Sequence, residues 1–145
     1  MVCIFFGHRD CYGLDAESLR QAIEELIGNG VNTFYVGHQG GFDSRVFSCL
    51  TKLKETYPQL FYLVVLAYLP TQKQKYDLYG GCSLYPEGLE TVHPRFAIEK
   101  RNRWMLDHAD YCLCYVNHAY GSAYKFARMA KRKGLTVINL GSAEL

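Results

Sequence analysis

The sequence predicts an α/β fold of the Rossmann type: a single domain over 1–145, a mostly parallel sheet of about five strands, and helices on both faces. Three observations predict it. Short apolar, β-prone runs alternate with segments whose apolar residues recur at helical spacing. The runs are continuously apolar, as strands covered on both faces require. Two strand-to-helix junctions carry glycine, Gly37-His38-Gln39-Gly40-Gly41-Phe42-Asp43 and Asn117-His118-Ala119-Tyr120-Gly121-Ser122, where a backbone turns sharply or approaches something closely.

Each element follows from its residues. The run 2–6 reads as the first strand, followed by Gly7-His8-Arg9-Asp10 and a polar loop. Asp15 is placed as an N-cap before a helix whose inner face is Ala16, Leu19, Ala22, Ile23, Leu26 and Ile27, and Asn29-Gly30 ends it. The second strand spans 31–36. The glycine turn 37–43 follows, then a helix marked by Val46, Phe47, Leu50 and Leu53 and closed by Pro58. A third strand spans 61–69, stopped by Pro70. Residues 71–95 carry little periodicity and read as a long loop over the site, with Tyr76, Tyr79, Leu84, Tyr85 and Leu89 to pack it down. A helix over 96–109 with Ile98, Met105 and Leu106 inward leads to a buried strand at 111–116. The turn 117–122, a helix over 123–133 faced by Ala123, Phe126, Ala127 and Ala130, and a last strand at 135–140 complete the chain.

Composition narrows the class of function. A chain of 145 residues, 49% apolar, is long enough to bury about 70% of its unfolded surface. It has no apolar run near the ~20 residues that span a bilayer and no signal peptide. A net charge of +2 gives no case for membrane binding and argues against nucleic acid. The six cysteines form no CxxC pair and four fall in apolar segments, which suits reduced, buried thiols in a cytoplasmic protein. Cys112 and Cys114 share a strand face, so a metal there stays an alternative, but no metal and no cofactor is expected.

The turns at 7–13, 37–43 and 117–122 fall at the carboxyl edge of a parallel sheet, where such folds bind ligands. A glycine turn opening a helix offers backbone N–H groups and a partial positive charge, so an anion such as phosphate is the expected guest; a merely tight turn is the alternative. His8, His38 and His118 sit one in each turn, placed to hydrogen-bond a ligand or simply to face water, with convergence on a metal as the lesser alternative. Arg95, Arg101 and Arg103 with Asn102 form the densest polar cluster, and an arginine fork suits phosphate. At least one of Arg101 and Asn102 faces inward. An inward Arg101 needs an anion, either a ligand or Asp43 or Asp110. Tyr12, Phe42, Tyr85 and Tyr120 are candidates to stack on a base.

The order of elements, with GHRD after the first strand, GHQGGFD after the second and the whole segment 85–140, resembles the SLOG superfamily. This Rossmann-like group contains DprA, the LOG phosphoribohydrolases and the YpsA-like proteins, and the chain is most similar to small stand-alone YpsA-like members. The resemblance implies a nucleotide-derived ligand held by Gly37, Gly40, Gly41 and Asp43, by Arg95, Arg101 and Asn102, and by Gly121 and Ser122. Gly7, His8, Arg9, His38, Phe42, Asn117 and His118, from the same three turns, complete the candidate set. The enzymatic LOG branch carries PGGxGTxxE, whose Glu serves cleavage of an N-glycosidic bond; here Tyr124 or Lys125 stands in its place. Neither replaces a carboxylate at neutral pH.

The expectation is therefore binding without turnover: an ADP-ribose-like, cyclic or mononucleotide ligand held by a sensor or sequestering protein. The alternative is a nucleotide hydrolase acting on an N-glycosidic bond with a relocated carboxylate. Asp10, Asp43, Glu90 and Glu99 are candidates for it, with Glu87 placed first. A homodimer or dimer-based oligomer is expected through Trp104, Met105 and Phe47.

Overall fold

A computed structural model describes residues 1–68 and 82–145. The first strand, β1 (Val2–Gly7), shows why its run is continuously apolar: Cys3 and Phe5 enter one core, Ile4 and Phe6 the other. The same division recurs in β5 (Tyr111–Tyr115), where Leu113 and Tyr115 face the first core and Cys112 and Cys114 the second. Between and beyond them lie β2 (Thr33–Val36), β3 (Phe61–Val65), β4 (Ser83–Leu84) and β6 (Thr136–Asn139). Among the described residues they form one six-stranded sheet, ordered β4-β3-β2-β1-β5-β6, with every neighbouring pair parallel.

Helices α1 (Ala16–Gly28) and α2 (Gly40–Thr56) cover the first core. Helices α3 (Pro94–Asp107) and α4 (Ser122–Arg132) cover the second. Asp15 caps α1 by accepting from the Glu17 N–H, and Gly30 at φ +97° lets the chain leave it, both as their residue types require. Phe5, Phe34 and Phe42 are wholly buried together, and removing each from water contributes about 1.5–3 kcal/mol. That anchors β1, β2 and the start of α2 to one another.

Several expectations need correction. The sheet has six strands, because β4 lies within the stretch read as loop. Of 71–95, residues 71–81 lie outside the described residues, and 82–95 hold β4, a 3₁₀ turn at Leu89–Thr91 and the first turn of α3. Strand β3 ends at Val65, four residues early. Helix α2 begins at Gly40, inside the glycine turn, and α3 begins at Pro94, whose fixed φ and missing N–H suit a first helical position. Met105 is 1% exposed and belongs to the core, while Trp104 stacks on His108 at 4.0 Å. Met105 is therefore not a free apolar surface for a partner.

Candidate functional site

The chain runs outward from β1 to β4, then crosses back to place β5 against the other side of β1. The loops leaving β1 and β5 consequently diverge, and a crevice opens between them at the carboxyl edge. Hydrogen bonds tie the three turns there. The His8 N–H donates to the Tyr115 carbonyl at 3.2 Å, the Gly41 N–H to the Arg9 carbonyl at 2.8 Å, and the Asn117 N–H to His8 Nε2 at 2.8 Å. The cleft they border has a volume of about 260 Å³. Phe5 and Phe6 underlie it. Gly7, His8 and Arg9 form one wall, Gly37, Gln39 and Asp43 a second, and Ile98, Arg101, Asn102 and Met105 of α3 a third; Ser122 and Ala123 close it at the start of α4.

Arg101 is the central group. It is 2% exposed, and each of its three nitrogens donates a hydrogen bond: Nε to Asn102 Oδ1 at 2.8 Å, one Nη to the Val65 carbonyl at 2.9 Å, the other to Gln39 Oε1 at 2.6 Å. Both Arg101 and Asn102 thus turn inward. Among the described residues Arg101 has no ion-pair partner within 4.0 Å, although a buried cation normally requires one. Asp110, one expected partner, instead accepts the Val2 N–H at the opposite end of β1. Asp43, the other, lies across Gly37. A Cβ on Gly37 would fall 2.8 Å from Asp43 Oδ2 and 3.0 Å from the Arg101 guanidinium, so only glycine lets the two groups share that space.

Burial pushes the Asp43 carboxyl up to about 6, against the pull of Arg101 and of the Gln39 N–H that its Oδ2 accepts at 3.0 Å. Burial also lowers Arg101 from its ordinary value, but a guanidinium stays charged at neutral pH. Asp43 is 9% exposed and Asn102 5%. Each keeps hydrogen-bonding capacity that no described group uses: Asn102 Nδ2 donates to nothing, and Asp43 Oδ1 accepts from nothing. Since no wholly enclosed polar atom lacks a partner, these two open onto the cleft.

The two glycine turns prove unlike. At the first, Gly40 has φ +88°, and a Cβ on Gly41 would stand 2.5 Å from the Arg9 carbonyl oxygen. The close approach is to the β1–α1 loop of the same chain, and the Asp43 carboxylate takes the place of an anion at the start of α2. This corrects the reading of Gly40 and Gly41 as a phosphate cradle. Phe42 also leaves the site: it is 0% exposed, and its ring occupies the space a side chain on Gly7 would need. At the second turn Gly121 has φ +91°, no side chain caps α4, and Ser122 faces the cleft. Its first N–H groups are oriented for an anion.

His38 points away from this wall. Its Nε2 accepts from the Ala67 N–H and contacts Gln39 Nε2, both at 3.1 Å, and burial followed by the Arg101 charge lowers its pKa to about 4. His8 is also lowered, by burial and by His118, on which it stacks at 3.9 Å. Asn117 turns its Oδ1 to the Ser142 N–H at 3.0 Å. Arg95 and Glu87 are exposed and outside the cleft: Arg95 lies over the Phe96 ring, and Glu87 stands before the 3₁₀ turn. Glu99 pairs with Arg103 and Lys125. Gln39 carries Arg101 yet has no distinguishing mark in sequence beyond its position in the turn.

Among the described residues no group of three or more His, Cys, Asp or Glu is arranged to hold a metal ion, and no helix is long and apolar enough to cross a membrane. Other hollows are larger: about 510 Å³ between α1 and α2, about 410 Å³ between α3 and α4, and about 300 Å³ beside β6, lined by Lys131, Leu135, Val137, Asn139, Ala143 and Leu145. In the first Arg20 pairs with Glu17 and Glu24, and in the second Lys133 pairs with Asp107. The crevice is smaller, but it alone gathers the buried polar groups at the strand ends.

No protein-family model and no curated protein sequence matches the chain. The structure is similar to that of DNA processing protein A (DprA) from Streptococcus pneumoniae, with a TM-score of 0.70 and 17% identity. The likeness covers 99% of this chain and 51% of that one, so the chain spans about half the length of its structural neighbour. At that identity what is shared is the fold: the Rossmann-like α/β architecture that the sequence predicts is also found in about half of the DprA chain.

Proposed function

We propose that the crevice binds a nucleotide-derived small molecule, with its phosphate at the start of α4 and its hydroxyl groups at Asp43 and Asn102. The observation that carries this reading is a pair of polar atoms, Asn102 Nδ2 and Asp43 Oδ1, on side chains at least nine-tenths buried, that open onto the cleft beside Arg101 and that no described group hydrogen-bonds. A ligand group that hydrogen-bonds such an atom gains about 0.5–1.5 kcal/mol, and about 1.5–3 kcal/mol where the acceptor is an ionised carboxylate. A donor beside an acceptor suits vicinal hydroxyls, and the uncapped α4 with Ser122 suits an anion. Gly37 and Gln39 keep Arg101 and Asp43 in place; Gly7, His8 and Arg9 form the facing wall.

Calorimetric titration with AMP, ADP-ribose and a cyclic nucleotide tests this. Saturable binding of one of them, lost in Asn102→Leu, is the expected result; absence of binding for all three overturns it. A single-stranded oligonucleotide belongs in the same titration as competitor, because the structural neighbour is a DNA processing protein.

One observation favours turnover as the second reading. Asp43, unlike Glu87, is a carboxylate inside the cleft, and a group near pH 6 is suited to general acid–base work. In that case water adds to the anomeric carbon, the carbon–nitrogen bond breaks, and the base leaves with a proton. Without it, the cleft holds ground state and transition state alike, and binding is the whole function. Free base accumulating in the AMP titration would establish the second reading.

A further inference from the structure

The β1–α1 and β5–α4 loops together build a ladder of three rings beside the cleft. His8, in the cleft wall, stacks on His118 at 3.9 Å with 16° between planes, and His118 stacks on Tyr120 at 3.8 Å and 17°. The ladder is held from several sides. Its inner ring accepts the Asn117 N–H, its middle ring donates from Nδ1 to the Tyr120 carbonyl at 3.1 Å, and Asn117 is tied to Ser142. Its outer ring is 69% exposed. A large ring fixed in orientation by the rings beneath it, with so much of its surface in water, is a preformed stacking platform.

Tyr120 directly precedes Gly121 and Ser122, where α4 begins uncapped. We propose that Tyr120 is the shelf on which the planar heteroaromatic ring of the ligand stacks, so that the site selects a nucleotide over the corresponding sugar phosphate. This rests on the reading that the cleft receives the sugar and phosphate, for which the Asn102 Nδ2 donor, unused by any described group, is independent support. The other rings that sequence offers do not compete. Phe42 is in the core, Tyr85 packs against it, and Tyr12, though 94% exposed, has no ring stacked beneath it among the described residues.

The experiment compares AMP with ribose 5-phosphate by calorimetry on the wild type, Tyr120→Ala and Tyr120→Phe. Tyr120 is exposed, so both variants should fold, and far-UV circular dichroism checks this. The wild type should prefer AMP by about 5- to 150-fold, the range stacking on one aromatic ring supplies. Tyr120→Ala should bring AMP down to the affinity of ribose 5-phosphate while leaving the latter unchanged, and Tyr120→Phe should keep the preference. Equal affinities in the wild type, or a preference that survives Tyr120→Ala, would overturn the shelf while leaving the cleft reading intact. Binding of neither probe, with ADP-ribose and the cyclic nucleotide also failing to bind, would overturn both, and binding of one of those two alone would overturn the shelf.

Discussion

Asp43→Asn should make the protein more stable at neutral pH, though it removes a charged group beside a buried arginine. The folded chain holds the Asp43 proton up to about pH 6, against an ordinary 3.8. Below 3.8 the acid is neutral in both states and costs nothing. Between 3.8 and about 6 the folded state binds more protons than the unfolded, so stability falls as pH rises, and above 6 the loss is complete. Roughly two pH units at 1.36 kcal/mol each give about 3 kcal/mol. Asparagine matches the neutral acid in shape and can still accept the Gln39 N–H. Urea denaturation of both proteins near pH 4 and near pH 7.5 should show almost equal stability at the first. At the second the variant should lead by about 3 kcal/mol, worth roughly 9 °C in Tm at this chain length. A lead that is the same at both pH values refutes the reasoning. So does a variant less stable at neutral pH, since Asp43 would then be the ionised counter-charge of Arg101.

His38 tilts the balance the other way. Its folded pKa is about 4 against an ordinary 6.5, so across that window the unfolded state binds more protons and stability rises with pH. His38 is less buried than Asp43, and solvent screening trims its share. The two slopes oppose each other in the wild type. Asp43→Asn should expose the rise, and His38→Gln should expose the fall.

Two further substitutions separate support from binding. Arg101→Ala strands the Gln39, Val65 and Asn102 oxygens and should cost about 3–5 kcal/mol of stability as well as AMP binding; unchanged urea midpoints would refute the buried network. Gly41→Val places a Cβ 2.5 Å from the Arg9 carbonyl, so a thermal melt should show severe destabilisation; a melt like the wild type's would mean that the β1–α1 loop yields freely.

The fold was legible because its signals are local and repeated. The run at β1 needs both faces buried, and the apolar phase of α1 with Asp15 and Gly30 leaves little freedom. The site was legible by turn and only partly by residue. Arg101 and Arg103 are the same residue type two positions apart, and only helical phase sends one into the crevice and the other into water. Gly41 reads as a ligand cradle because sequence shows that a close approach is needed but not what approaches; here it is Arg9. Phe42 reads as a stacking ring until the absence of a side chain on Gly7 gives it a place in the core. Strand β4, two residues long, carries no period to detect.

The division between the two glycine turns explains how the cleft can bind an anion while holding a carboxylate of its own. At α2 the Gln39 N–H is already satisfied by Asp43 and the Gly41 N–H by Arg9, so a second anion there would meet like charge. At α4 the first turn carries Tyr124 and Lys125. The Tyr124 hydroxyl accepts from Arg128 and the Lys125 ammonium pairs with Glu99, so neither places a negative charge at that terminus. The negative group thus lies at the α2 side of the crevice and the open N–H groups at the α4 side. A molecule with an anion at one end and hydroxyl donors at the other is favoured in one orientation and opposed in the reverse. That asymmetry follows from Asp43 and the uncapped α4 together, and neither turn would impose it alone.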